Sequence, residues 1–276
     1  MSQLPVLKKL RLFVSANIVI IAFLFSNHGF SNTAKDPLII FLHGAHLTAK
    51  SWSLVTNQLE NKGIKSLPID LPGRNDQLSL ETVTLDSSAE YLCTTLKGIK
   101  QELVFVVHSQ AGAILNHSQS ICPTHQIKSI VYLASVFPTG GERPFDRLSK
   151  LDEENYFKGV SFDEKNSAMV ISNQLEFLNT FTSLNKTEQP EGISTYAVDE
   201  PARIGDGIVK YNKESLDSVK KYYIFTSKDR IISPDSQTAI AEHMKPDGTY
   251  KLDTGHIPML THPTEVTRIL ISLLGK

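Results

Sequence analysis

Apolar residues in this chain cluster in short unbroken runs, and between the runs they recur at helical spacing. Residues 38–42, Leu-Ile-Ile-Phe-Leu, form the first run beyond the N-terminal segment and predict a strand buried on both faces. Residues 48–62 carry Trp52, Val55 and Leu59 on one helical face and stop at Gly63. A second strand is expected over 64–70, closed by Leu71-Pro72-Gly73, and a helix over 86–96, ended by Gly98. A strand over 103–107, a helix reaching about Cys122 and a strand over 129–134 follow. The rhythm then breaks. Residues 137–210 are loop-rich and punctuated by proline and glycine, with helical patches near 148–156 and 168–178. It resumes with a strand over 221–226, a helix over 234–243 led by Ser233-Pro234, a strand over 248–252 and a closing helix over 263–274.

Alternating strands and helices with unbroken apolar strands predict an α/β fold, its mostly parallel sheet covered on both faces. In such sheets ligands bind outside the carboxyl ends of the strands. The core is therefore read as 35–136 and 211–276, with 137–210 inserted as a cap. A long insertion on such a core serves as a lid or binding wall, or is a surface excursion.

The N-terminus follows different rules. Lys8, Lys9 and Arg11 precede an apolar run over 12–25, and small and polar residues follow to Ala34. A basic start, a short apolar run and a small-residue exit describe a secretory signal peptide over 1–31, with cleavage after Ser31 or Ala34. The run is short for a membrane span, so an uncleaved anchor is the alternative and no stable span remains once the signal is removed. A periplasmic or secreted protein is expected. The formal charge of −1 offers nucleic acid no electrostatic footing. Cys93 and Cys122 are the two cysteines, without metal-ligand spacing. An oxidising compartment would allow them to pair, since each lies in or beside an expected helix flanking the elbow strand; two unrelated buried thiols is the alternative.

Candidate chemistry centres on Val106-Val107-His108-Ser109-Gln110-Ala111-Gly112, where a strand runs into a helix through a serine with small neighbours. This is the context of a nucleophile elbow, although Val107 stands where the G-x-S-x-G pattern has glycine. A single serine of this kind is also found as an ordinary loop residue. Acyl transfer needs more: a histidine base, a carboxylate to fix its tautomer, and N–H donors for the oxyanion. Ser109, Asp229 and His256 occur in the order nucleophile, acid, base, each just after an expected strand. Asp235 fits a helix first turn and Asp253 a turn residue, so Asp229 is the preferred acid. His43 and His46 lack further ligands for a metal, and His43-Gly44 suits a tight turn that aims the Ala45 N–H at Ser109. Ala45 and Gln110 are the expected backbone oxyanion donors, with no metal or organic cofactor implied.

The stretches FLHGAHLTAKSW (41–52), DLPG (70–73), VVHSQAG (106–112), IVYLASVFPTGG (130–141), YYIFTSKDRIISPDSQ (222–237) and DTGHIPMLTHP (253–263) resemble the α/β-hydrolase fold family. Within it they resemble the plant methylesterase–hydroxynitrile lyase branch and its bacterial relatives. The resemblance implies the same triad and oxyanion donors, and a six-stranded core beginning at the third strand of the full fold. Lyases of this branch carry lysine directly after the catalytic histidine, threonine after the oxyanion-loop histidine and glutamate before the serine. This chain has Ile257, Gly44 and His108 there. The resemblance thus implies a serine hydrolase of small-molecule carboxylic esters. The alternatives are a lyase or other non-hydrolytic enzyme on the same triad, or a small-ligand-binding protein of this fold.

Overall fold

The computed structural model describes residues 36–74, 78–123 and 126–275, so the expected signal peptide lies outside the described residues. Five strands and helices open the core: β1 Leu38–Leu42, α1 Ser53–Glu60, β2 Ser66–Ile69, α2 Leu85–Leu96 and β3 Leu103–His108. Next come α3 Ala111–Ile121 and β4 Ile127–Leu133. The strand expected over 64–70 is trimmed to four residues, and β3 runs one residue further than expected, to His108. All six residues of β3 are buried, as its unbroken apolar text requires of a central parallel strand.

The inserted segment contains α4 Lys150–Tyr156, β5 Val160–Asp163, β6 Ala168–Ile171, α5 Gln174–Thr182, β7 Glu200–Pro201 and the single turn α6 Arg203–Asp206. The helical patch expected over 168–178 is thus corrected. Its first four residues, Ala-Met-Val-Ile, pair antiparallel with β5, while the helix starts at Gln174 and reaches Thr182. Asn173 sets that start, because its side chain accepts the Glu176 N–H. The three-stranded sheet β5-β6-β7 was not legible as strands, since its segments are two to four residues long and lie between turns.

The chain returns through the single turn α7 Lys213–Leu216, then β8 Lys220–Thr226, α8 Pro234–Met244 and β9 Gly248–Leu252. A short turn α9 Pro258–Thr261 and the helix α10 Pro263–Leu273 close it. The core sheet has six strands in the order β2-β1-β3-β4-β8-β9, every adjacent pair parallel. Right-handed crossovers put α1 on one face; after β2 the direction reverses, so α2, α3 and α8 cover the other. α10 packs on α1 and α2 on α3, in agreement with two separate layers. The reversal falls between β1 and β3, and ligands bind outside the carboxyl ends of strands at such a switch point. Ser109 and the 43–46 loop both lie there.

Cys93 on α2 and Cys122 just after α3 form a disulfide with Cα atoms 5.9 Å apart. It clamps the two helices of the layer beneath the elbow. Among the described residues no helix is long and apolar enough to cross a membrane.

Candidate active site

β3 delivers Ser109 into a backbone conformation that only strong local constraint sustains in a non-glycine residue, φ 55°. The Ser109 carbonyl is held by the Val136 N–H at 3.1 Å and the Ser135 hydroxyl at 2.6 Å, so the end of β4 fixes the bend. Gly112 is demanded by the same contact. A Cβ there would lie 2.1 Å from the Val136 carbonyl oxygen. Val107, the departure from the G-x-S-x-G pattern, is fully buried and paired with Leu42 and Tyr132 in the sheet. Its side chain is absorbed by the core, leaving the bend at Ser109 untouched.

Ser109, His256 and Asp229 form one hydrogen-bonded chain. The Ser109 hydroxyl donates to His256 Nε2 at 2.9 Å, and His256 Nδ1–H donates to Asp229 Oδ2 at 2.7 Å. All three are at least 95% buried. Asp229 also accepts the Thr226 hydroxyl at 2.8 Å and the Ile231 and Ile232 N–H groups at 2.8 and 3.0 Å. Four donors and no acceptor suit an ionised carboxylate, which can only accept. Gln237 on α8 braces this loop from behind, accepting the Thr226 N–H and donating to the Thr226 and Ile232 carbonyls. Asp253, the rejected acid, is exposed on Lys228 and Ser227, and Asp235 lies in the first turn of α8.

His256 is fixed from both sides. Its backbone N–H donates to the Phe181 carbonyl at 2.8 Å, and its carbonyl accepts His108 Nε2–H at the same distance. A Cβ on Gly255 would meet the Thr182 carbonyl oxygen at 2.2 Å, so the end of α5 lies directly on this loop. Burial holds His108 well below the usual imidazole range, and the neighbouring His256 adds to the effect. Its Nδ1 has no hydrogen-bond partner and lies against Gly44, where a Cβ would come within 2.7 Å of it and of Ser109 Cβ.

On the 43–46 loop, His43 donates Nδ1–H to the Gly44 carbonyl and accepts the Leu71 N–H on Nε2 at 3.0 Å. Burial, with Arg74 nearby, lowers its pKa from 6.5 to about 3. His46 is likewise lowered by burial, and it donates Nδ1–H to Val198 O and accepts the Tyr156 hydroxyl. Neither ring is available to a metal, and among the described residues no cluster of potential ligands exists. The structure brings Ala45, Gln110 and Ser109 together on one cavity of about 500 Å³. Neither the Ala45 nor the Gln110 backbone N–H has an acceptor among the described residues. Ile231 and Ile232 from the core and Phe145, Tyr156, Phe157, Met169 and Phe181 from the inserted segment give that cavity its apolar wall. A second cleft of about 670 Å³ around Tyr211, Lys213 and His243 contains none of these groups.

Several contributors had no sequence signal. Glu200 and Arg74, an ion pair with both side chains at most 3% exposed, sit beside Gln110, and Gln237 is one glutamine in an ordinary amphipathic helix. Only the three-dimensional packing distinguishes them from surface residues of the same type.

Residues 39–269 match the model of the alpha/beta hydrolase family. The chain belongs to that family. Among curated relatives it is 24% identical over 262 residues to a putative chloroplastic methylesterase 14 of Arabidopsis thaliana, covering 88% of this chain and 74% of that one. It is 25% identical over 252 residues to a pheophorbidase of Raphanus sativus, covering 86% and 95%. Among solved members of the hydrolase fold, a pyrethroid hydrolase from Sphingobium faniae superposes with a TM-score of 0.73 at 15% identity, covering 87% of this chain and 98% of the other.

Proposed function

We propose that this alpha/beta hydrolase is a serine esterase that cleaves small carboxylic esters through Ser109, His256 and Asp229. The observation that carries the reading is the unbroken hydrogen-bonded chain from Ser109 Oγ to Asp229, beside two unbonded backbone N–H groups in an apolar cavity. In the first step Ser109 Oγ attacks the ester carbonyl while His256 Nε2 takes its proton. The oxyanion is received by the Ala45 and Gln110 N–H groups, and Asp229 stabilises the imidazolium it faces. His256 returns the proton to the departing alcohol, leaving an acyl-serine. Water then attacks that ester by the same route, releasing the acid and restoring Ser109.

Ile257, buried beside His256, supports hydrolysis over cyanide elimination, because the lysine that stabilises cyanide in related lyases is missing. Gly44 supports it too, since the threonine of those lyases would collide with His108 and Ser109. The N-terminal segment and the Cys93–Cys122 disulfide support export to an oxidising compartment, periplasmic or extracellular. The experiment is hydrolysis of p-nitrophenyl acetate and butyrate by the protein and by Ser109→Ala. Loss of the nucleophile of such a triad lowers kcat by on the order of 10⁶. Equal rates in both proteins would refute the assignment of the nucleophile, and no turnover by either would refute the esterase reading.

A further inference from the structure

The two oxyanion donors lie on separate loops, and one carboxylate from the inserted segment bonds the residue next to the first and the side chain of the second. Glu200 on β7 is 2% exposed. Its Oε2 accepts the His46 N–H at 2.9 Å and pairs with Arg74 Nη2, while its Oε1 accepts the Gln110 side-chain amide at 2.7 Å. His46 directly follows Ala45, and Gln110 is itself the second donor. His46 stands at φ 60°, a left-handed conformation uncommon for a non-glycine residue. Its ring is pinned as well, by Val198 and by Tyr156 at 2.7 Å. Glu200, Val198 and Tyr156 all belong to the inserted segment.

A bare carboxylate on the wall of this cavity would oppose a developing oxyanion. Arg74 removes that opposition, since its side chain is fully buried against Glu200 and anchored on the Pro72 carbonyl at 2.8 Å. We propose that Glu200 is a positioning residue of the oxyanion hole, tying the cap to the Ala45 and Gln110 donors while Arg74 cancels its charge. The inference rests on the serine-esterase reading and deepens it. It makes the oxyanion hole dependent on the cap, so that displacing β7 slackens both donors together.

The test compares two double variants of the full chain that avoid stranding a buried charge. Glu200→Met with Arg74→Met removes the acceptor and both charges; Glu200→Gln with Arg74→Met keeps an acceptor for the His46 N–H. The readouts are kcat and KM on p-nitrophenyl acetate, affinity for phenylboronic acid by calorimetry, and Tm. The boronic acid adds to the Ser109 hydroxyl as a tetrahedral boronate, the proton passing to His256, and so probes the hole without turnover.

Slackening of the donors in the first variant should lower kcat about 10²-fold with KM within about threefold, and weaken boronate binding in step. The second variant should recover most of both at the same Tm. Gln110→Leu, which deletes the side-chain tie and keeps the backbone N–H, should show a smaller loss of the same kind and serves if the first variant does not fold. Undiminished kcat in the Met pair, or losses that follow Tm equally in both pairs, would overturn the proposal. A wild type that binds the boronic acid without ester turnover refutes the esterase reading alone, and the variants' boronate affinities still decide the role of Glu200. A wild type that binds none overturns both.

Discussion

Acidification from pH 6.5 to 5.0 should destabilise this protein through histidines that cannot accept a proton while buried. His43 falls from 6.5 to about 3 in the fold, so the unfolded chain takes up the proton first. Stability is then complete above the unfolded value and is lost as pH falls below it, at about 1.4 kcal/mol per pH unit. Over this interval His43 alone removes about 2 kcal/mol. His46 and His108 are lowered by burial in the same sense. Both therefore add to the loss from His43 as pH falls. Asp152 and Glu142, whose carboxyls are held below their usual values by hydrogen bonds, lose their contribution only at lower pH. The window above pH 5 therefore isolates the imidazoles. The assay is urea unfolding at half-unit steps from pH 7.5 to 5.0, reading the midpoint at constant m. His43→Gln should flatten the dependence by about 1.4 kcal/mol per pH unit. A midpoint unchanged between pH 7 and 5 would refute the argument that these rings stay neutral.

Asp229→Asn should leave Tm near the parent value and lower kcat about 10⁴-fold, by favouring the imidazole tautomer that cannot take the Ser109 proton, as steady-state kinetics and a melt will report. Gly44→Ala places a Cβ 2.7 Å from His108 Nδ1 and Ser109 Cβ. Displacement of Ser109, the proposed nucleophile, on this scale should cost about 10²-fold in kcat, and full activity would show that the loop yields freely. Reducing the disulfide, or replacing both cysteines by serine, frees a loop of 29 residues in the unfolded chain and should lower stability by about 3–4 kcal/mol in urea melts. Asp152→Ala removes the carboxylate that caps α4 and accepts Ser233 and Ser236, joining the inserted segment to α8, and should cost about 2–3 kcal/mol.

The core was legible because its physics is local. Strands buried on both faces must be apolar throughout, and helices covering a sheet must be apolar on one face, so β1, β3 and α2 announce themselves by spacing. The inserted segment was not, because its strands are short, turn-bound and stabilised by contact with the core. There Ala168–Ile171 read as a helix start until pairing with β5 decided otherwise. The open question of the cysteines was of the same kind. Their spacing is neutral, and only the packing of α2 on α3 brings them to 5.9 Å.

The sequence by itself determined the parallel α/β core and the chain order of Ser109, Asp229 and His256, because strand ends must coincide with the loops that carry chemistry in such a sheet. Tertiary structure decided what surrounds those residues. Nothing in the local text around Glu200, Arg74, Gln237 or Tyr156 separates them from solvated residues of the same types. Their partners lie 126 residues away for the Glu200–Arg74 pair and 110 for Tyr156 with His46. A buried polar group acquires its role from whatever long-range packing sets opposite it, since desolvation makes it depend on those partners.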